Sequence, residues 1–358
     1  MMPNRKWVLA KRPTGIVGPE HFEWREDPIP SIKDGELLVR NLWLSCDAAQ
    51  RTWMEFDTYI PALPLGEVVA SGSVGEVIES NHPGFEVGDY LSGAFGWQDY
   101  AVSDGSAFGG LFPPVKIPRG VEPTAALSLF GITGLTAYFG LLDVGEPKPG
   151  ETVVVSAAAG AVGSIVCQIA KLQGCRVVGI AGGPRKCAWI REQLGADDAI
   201  DYKSQDLLAR LGETCPKGVD VFFDNVGGDV LDGVLASLAG GARIALCGAI
   251  SGYSGRADRP ALRNHANLIV QRAVMRGFLV FEFLDRTDEA ISELATWWGE
   301  GKLKGEIDVV EGLENAPTAL RRLFTGENLG KQLVRIANGN QGNVHSEVLP
   351  TDVGSPGF

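Results

Sequence analysis

From Glu151 onward the chain alternates short apolar segments with helix-like ones, and few folds accommodate that rhythm. "ETVVVSA", "CRVVGIA", "DDAIDY", "VDVFFDNVG", "GARIALCGAI" and "GFLVFEFL" read as six strands. Between them lie "GAVGSIVCQIAKLQG", a helix stopped by Gly174, and "GPRKCAWIREQLG", one ended by Gly195. Further helices are expected around Asp206 to Leu211, in "GDVLDGVLASLA", around His265 to Val274 and in "TDEAISELATWWGEG". Strands that are apolar on both faces need cover on both sides. Connections long enough to hold a helix supply that cover, so the pattern predicts a parallel, doubly wound α/β sheet.

The first part of the chain has a different texture. "GELLVRNLWLS", "VASGSVGEVIES" and "HPGFEVGDYLSGAFGWQDYAV" are strand-rich and broken by Gly, Pro and Asp, as in a compact, irregular β-barrel. "EPTAALSLFGITGLTAYFGLLDVGEPKPG" reads as a helix running into a connector at Gly145 to Gly150. At 358 residues the chain is long for one core, so two domains are expected. Lys302 to Ile336 is expected to pack back on the first domain, and the last stretch, 341–358, is poor in large apolar groups and expected to be disordered.

Composition narrows the function. With 32 basic against 44 acidic residues the net charge is −12, which disfavours nucleic acid and anionic membranes as partners. The N-terminus has no apolar core of signal-peptide length, and no uncharged apolar run approaches the roughly 20 residues of a membrane span. The six cysteines are scattered with no C-x-x-C pair, which fits free thiols in a reducing cytoplasm.

The first strand of the series runs into "SAAAGAVGS". A strand that turns directly into a helix leaves N–H groups pointing at a place where an anion can sit. Gly160 lets the backbone approach a pyrophosphate and Gly163 lets the helix pack on the strand, but Ala158 stands where the usual first glycine would be. That alanine is tolerable if its φ is ordinary. The bare alternative, helix–sheet packing without a ligand, is outweighed by the position at the first of six strands.

About 20 residues further on, NAD sites place an acid for the ribose hydroxyls. Here Gly182 and Gly183 stand in that place, followed by Arg185 and Lys186. A neutral turn followed by cations attracts a 2′-phosphate, and cations opening a helix otherwise oppose its dipole. NADPH is therefore the expected cofactor, with a merely solvated basic helix face as the alternative.

These residues resemble the zinc-independent branch of the medium-chain dehydrogenases/reductases, in its leukotriene/prostaglandin, 2-alkenal and curcumin reductase group. The similarity covers about Trp7 to Ile336 and is carried by "LSCDAAQRTWM", "HPGFEVGD", "GLTAYFG", "SAAAGAVGS", "GIAGGPRKCAW", "DNVGG", "CGAISGY" and "GENLGK". The resemblance implies a GroES-like catalytic domain of residues 1–125 and 306–340 beside a Rossmann NADPH-binding domain of 126–305, commonly as a homodimer. It further implies that Ala161, Val162, Gly163 and Ser164 cradle the pyrophosphate, and that Lys186 and Tyr202 bind the 2′-phosphate. Asn225, the run Cys247, Gly248, Ala249, Ile250 and Ser251, then Phe278, Leu279, Val280 and Asn328 would flank the nicotinamide half. Asn225 and Asn328 as turn formers and Tyr202 as an edge aromatic are the plainer alternatives.

No metal is expected. The turn that holds a zinc-ligating His in alcohol dehydrogenases reads "PLGEVV" here, and Cys46 has no partner ligands, which suits a packing thiol. Hydride transfer without a Lewis acid needs a substrate that takes hydride easily, such as an α,β-unsaturated carbonyl whose enolate a hydroxyl donor can stabilise. Tyr253 in "ISGYSG" matches the family's pocket tyrosine, with a surface loop tyrosine as the alternative. Tyr59 and Arg51 match positions that line or support the pocket, and Arg51 suits a structural ion pair as well. "DAAQRTWM" and Thr133 depart from the family's usual residues at the pocket entrance, which leaves the substrate open. A loop with Arg256, Arg259, Arg263 and His265 would either attract an acidic substrate tail or be simply solvated. The expected activity is NADPH-dependent reduction of enones and enals. Quinone reduction and a non-catalytic cofactor-binding role are the alternatives.

Overall fold

The computed structural model describes residues 3–107, 111–255 and 261–338. The expected disordered tail, 341–358, lies outside the described residues, as do Arg256 and Arg259. The chain divides into two units. One is formed from Met1–Leu127, Ile307–Asn328 and Gln332–Phe358, the other from Ser128–Glu306 and Leu329–Lys331.

The first unit begins with a hairpin of β1 (Asn4–Leu9) and β2 (Phe22–Asp27), in which Trp7 meets Trp24 edge to face at 5.1 Å. Next come β3 (Leu37–Ser45), β4 (Ser73–Ser80), β5 (Tyr90–Gly93), β6 (Tyr100–Ser103) and β7 (Val115–Lys116). β3 is the axis of this sheet, pairing antiparallel with β4 and β6. Its apolar residues are buried on both faces, which a strand paired on both edges and covered above and below requires.

The second unit holds the expected parallel sheet: β8 (Thr152–Ser156), β9 (Arg176–Ala181), β10 (Asp198–Asp201), β11 (Val219–Asp224), β12 (Leu238–Leu246) and β13 (Val274–Gly277). Their order is β10-β9-β8-β11-β12-β13, with every pair parallel. Alternate residues of β8 feed different cores. Val153 and Val155 join Ile165, Ile169 and Ile190 on one face, while Val154 joins Phe222, Leu231 and Leu235 on the other. The order reverses direction between β8 and β11, and open α/β sheets offer their ligand crevice outside the carboxyl ends at such a point.

The chain then returns to the first unit. β14 (Ile307–Glu311) and β15 (Lys331–Arg335) extend its sheet, β15 pairing with β3. The helix Ala316–Thr325 buries Ala316, Ala319 and Leu320 against Leu9, Leu44 and Trp97.

Three expectations need correction. The sixth strand is Val274–Gly277, not "GFLVFEFL", most of which forms the 3₁₀ segment Val280–Arg286. There Phe283 stacks on Phe139 at 4.9 Å, and Glu282 accepts the Leu279 N–H, so the apolar run fills the core as a helical turn. β12 starts at Leu238 because Leu238 pairs with Val219, which ends the preceding helix at Leu235. The single helix expected before the connector is broken into Pro123–Ala126, Ile132–Phe139 and a π-helical turn, Gly140–Gly145.

Candidate functional site

At the carboxyl end of β8 the backbone turns sharply. Ala157 takes a left-handed φ of 47°, and Ala158 is not among the residues with positive φ. The alanine that replaces the usual first glycine thus sits in ordinary backbone, and the strained position is its neighbour. The Ala158 methyl faces Gly179 of β9, where an added Cβ would lie 2.9 Å from it. A glycine in the next strand makes room for the methyl that the turn gained.

The Ala157 carbonyl is the hub of the turn. It accepts the Gly160 N–H at 2.8 Å, and a methyl placed on Gly163 would run into the same oxygen. The helix Ala161–Leu172 therefore starts hard against the strand end. Its N-cap, Gly160, has no side chain to satisfy the N–H groups of Ala161, Val162 and Gly163. Ser164 is turned inward: its N–H donates to Gly160 and its hydroxyl to the Ala161 carbonyl. A second segment braces the turn, for Gly330 pairs with Gly160 and donates its N–H to the Ala159 carbonyl at 2.8 Å.

Beside this turn the ends of β9 and β10 are tied by one carboxylate. Asp201 is buried, and its Oδ1 accepts the N–H of Gly183 at 2.8 Å and of Lys203 at 3.1 Å, while Oδ2 accepts the Ser204 hydroxyl at 2.8 Å. The Gly183 N–H, foremost among these donors, holds the Asp201 carboxyl below the usual range. This places Gly182 against Tyr202, whose ring would stand 3.1 Å from an added Cβ. Lys186, half-buried, lies in the first turn of the helix Pro184–Leu194, which carries no acid there.

The ends of β11 and β12 form a platform. Asp224 is fully buried and accepts from the Ser156 hydroxyl at 2.7 Å and from the N–H groups of Val226 and Gly227. Burial raises its carboxyl above the ordinary range, against the pull of those donors. Asn225 Nδ2 donates to the Ser156 carbonyl at 2.7 Å, so its amide clamps β11 to β8. The N–H groups of Cys247 and Gly248 go to the Asp224 carbonyl, that of Ile250 to Asn225 and that of Ser251 to Val226. Burial pushes the Cys247 thiol up to about 12, so it stays protonated at neutral pH.

Tyr253 folds back over this platform. Its hydroxyl oxygen accepts the Ala249 N–H at 3.0 Å and would stand 3.4 Å from a Cβ on Gly248. An oxygen that accepts a hydrogen bond becomes a stronger donor through its own proton. Phe278 meets Phe223 edge to face at 6.2 Å and is a core residue, as is Val280; of the three residues at 278–280 only Leu279 is exposed.

In the first unit Tyr59 is exposed and stands edge to face on Trp53 at 6.1 Å. Arg51 is wholly buried. Its guanidinium pairs with Glu55 at 2.8 Å and donates to the carbonyls of Pro13 and Gly15. That is the structural ion pair, one of the two readings the sequence leaves open for Arg51. Asn328 is buried. Cys46 packs with Leu44, Met54 and Trp97, and among the described residues no group of three His, Cys, Asp or Glu side chains is placed to hold a metal.

Comparison with known proteins agrees with this architecture. Residues 5–111 match the model of an N-terminal domain of oxidoreductases, and residues 161–296 one described as zinc-binding dehydrogenase. The NADPH-dependent curcumin reductase of Escherichia coli is 41% identical, over 93% of this chain and 97% of that protein. Mouse prostaglandin reductase 1 is 39% identical, over 94% of this chain and 100% of its own length. The crystal structure of CurA from Vibrio vulnificus in complex with NADPH superposes with a TM-score of 0.88 at 41% identity, over 94% of this chain and 100% of that one.

The chain belongs to the prostaglandin, 2-alkenal and curcumin reductase group of the medium-chain dehydrogenases/reductases.

Several residues of this reductase that build the site carry no local signal in the sequence. Asp201 ends a short strand and Lys203 follows it, both looking like ordinary edge polars, and Gly330 lies far along the chain from the turn it braces. The one sequence signal near Gly330 is "GENLGK", which carries the family resemblance and says nothing of a contact.

Proposed function

We propose that the protein reduces the C=C bond of α,β-unsaturated ketones and aldehydes, with NADPH as the hydride source. The observation that carries this is the pairing of an uncapped helix start at Ala161–Gly163 with an acid-free, cation-bearing turn at Gly182–Lys186. Those features fit a pyrophosphate and a 2′-phosphate respectively.

The cofactor is NADPH. Ala161, Val162 and Gly163 hold its pyrophosphate through backbone N–H groups, with Gly160 permitting the approach. Lys186 and Tyr202 take the 2′-phosphate. Asn225, Cys247–Ser251, Leu279 and the backbone of Phe278 and Val280 border the nicotinamide half, and Asn328 serves its amide. When bound, the cofactor supplies a hydride to the substrate β-carbon. The C=C electron pair then moves toward the carbonyl oxygen, which becomes an enolate. Tyr253, polarised by the Ala249 N–H, donates its proton's hydrogen bond to that oxygen. The α-carbon then takes a proton from water, directly or relayed through the hydroxyl groups beside the enolate. Tyr59 lines the substrate side and no zinc takes part; Arg51 contributes by holding the 13–15 segment.

We place the enzyme in a reducing cytoplasm on its six free thiols, and no helix among the described residues is long and apolar enough to cross a membrane. We also propose a homodimer through β13, the edge strand of the parallel sheet, and the short helix Asn267–Val270 before it, where Val274, Ile269 and Val270 are exposed. Sedimentation that finds only monomer would refute the dimer. The activity itself is tested by following NADPH consumption across enones, enals and quinones with NADH as comparison.

A further inference from the structure

The turn expected to receive the 2′-phosphate contains one more cation than the resemblance supplies. Lys203 lies across Gly182: a Cβ there would stand 2.8 Å from Lys203 Cε and 3.2 Å from its Cδ. The lysine stem thus lies in the space that a side chain at 182 would take. The backbone from which that stem departs is fixed, because Asp201 accepts the Lys203 N–H as well as the Gly183 N–H on the same oxygen, Oδ1. One buried carboxylate thus sets the spacing between the two turns. Asp201 spends its oxygens on backbone N–H groups and the Ser204 hydroxyl, and Lys203 closes no ion pair among the described residues. Lys203 is exposed and its stem lies against the turn that opens the helix bearing Arg185 and Lys186, so an anion held at that turn would meet its ammonium as well.

We infer that Lys203 is a specificity-determining residue, a further cation for the 2′-phosphate of NADPH, with Asp201 fixing the backbone from which its side chain departs. The inference rests on the NADPH reading above. It requires that removing the ammonium affect the phosphorylated cofactor and spare the one that lacks the phosphate.

The test is titration calorimetry of wild type and Lys203→Met with NADPH, NADH, 2′,5′-ADP and 5′-AMP, with a thermal melt to confirm folding. Methionine keeps the stem and drops the charge. NADPH and 2′,5′-ADP should weaken about three- to tenfold, with NADH and 5′-AMP within about twofold. Lys203→Glu should weaken NADPH further and leave NADH bound. Equal weakening of both cofactors, or no change in either, would overturn the inference while leaving the NADPH reading intact. A wild type that does not prefer NADPH to NADH would overturn that reading and this inference together.

Discussion

The N–H of Gly330 donates to the carbonyl of Ala159 at 2.8 Å, and the two glycines Gly330 and Gly160 face each other as a parallel bridge. A segment remote in sequence is thereby part of the turn between β8 and the helix Ala161–Leu172. Gly330 has a φ of 69°, and a methyl there would collide with the Glu306 carbonyl. Gly330→Ala should cost about 2–4 kcal/mol of stability and weaken NADPH binding, read by urea unfolding and cofactor titration. Unchanged affinity in a folded variant would separate the bridge from the cofactor site.

The turn proposed to hold the pyrophosphate makes opposite demands at two positions. Gly163 faces the Ala157 carbonyl so closely that Gly163→Ala must displace either the helix start or the turn. Its NADPH affinity should fall at least about tenfold. Ala158→Gly, in contrast, restores the usual first glycine but empties a buried methyl site against Gly179. It should bind NADPH normally and lose about 1 kcal/mol of stability. Cofactor titration and thermal melts of the two variants check both statements.

Arg51 should prove structural. Its guanidinium is fully buried on Glu55, Pro13 and Gly15, so Arg51→Met leaves an acid and two carbonyls without their donor. A loss of about 3–5 kcal/mol in unfolding free energy is expected. The kcat of the remaining folded enzyme should be within a few-fold of wild type. A large fall in kcat with stability unchanged would restore a direct role.

How much of this was legible follows from where each signal lies. The parallel sheet was readable because buried strands such as Val153–Val155 are continuous apolar runs and the intervening helices end on glycines such as Gly195. The sixth strand was misplaced because an apolar run fits a core equally as strand or helical turn, and only the stacking of Phe283 on Phe139 decides between them. The glycines of the phosphate turn were legible and the strain at Ala157 was not, since φ at a small residue is set by what surrounds it. Asp201, Lys203 and Gly330 were opaque for the same reason. Each acts through a partner that sequence distance conceals.

Tyr253→Phe isolates the hydroxyl that accepts from Ala249. Steady-state kinetics should show kcat for an enone falling about 10²-fold, with NADPH affinity within about twofold. An unimpaired rate would mean that the enolate oxygen is stabilised elsewhere.

The most direct measurement uses NADPH deuterated at the transferable position of the nicotinamide ring, an unsaturated ketone or aldehyde as acceptor, and NMR of the product. Reduction at the C=C bond with deuterium on the β-carbon and solvent hydrogen on the α-carbon is the predicted result. Deuterium on the carbonyl carbon, or NADPH oxidation by quinones with every enone and enal left intact, would contradict it.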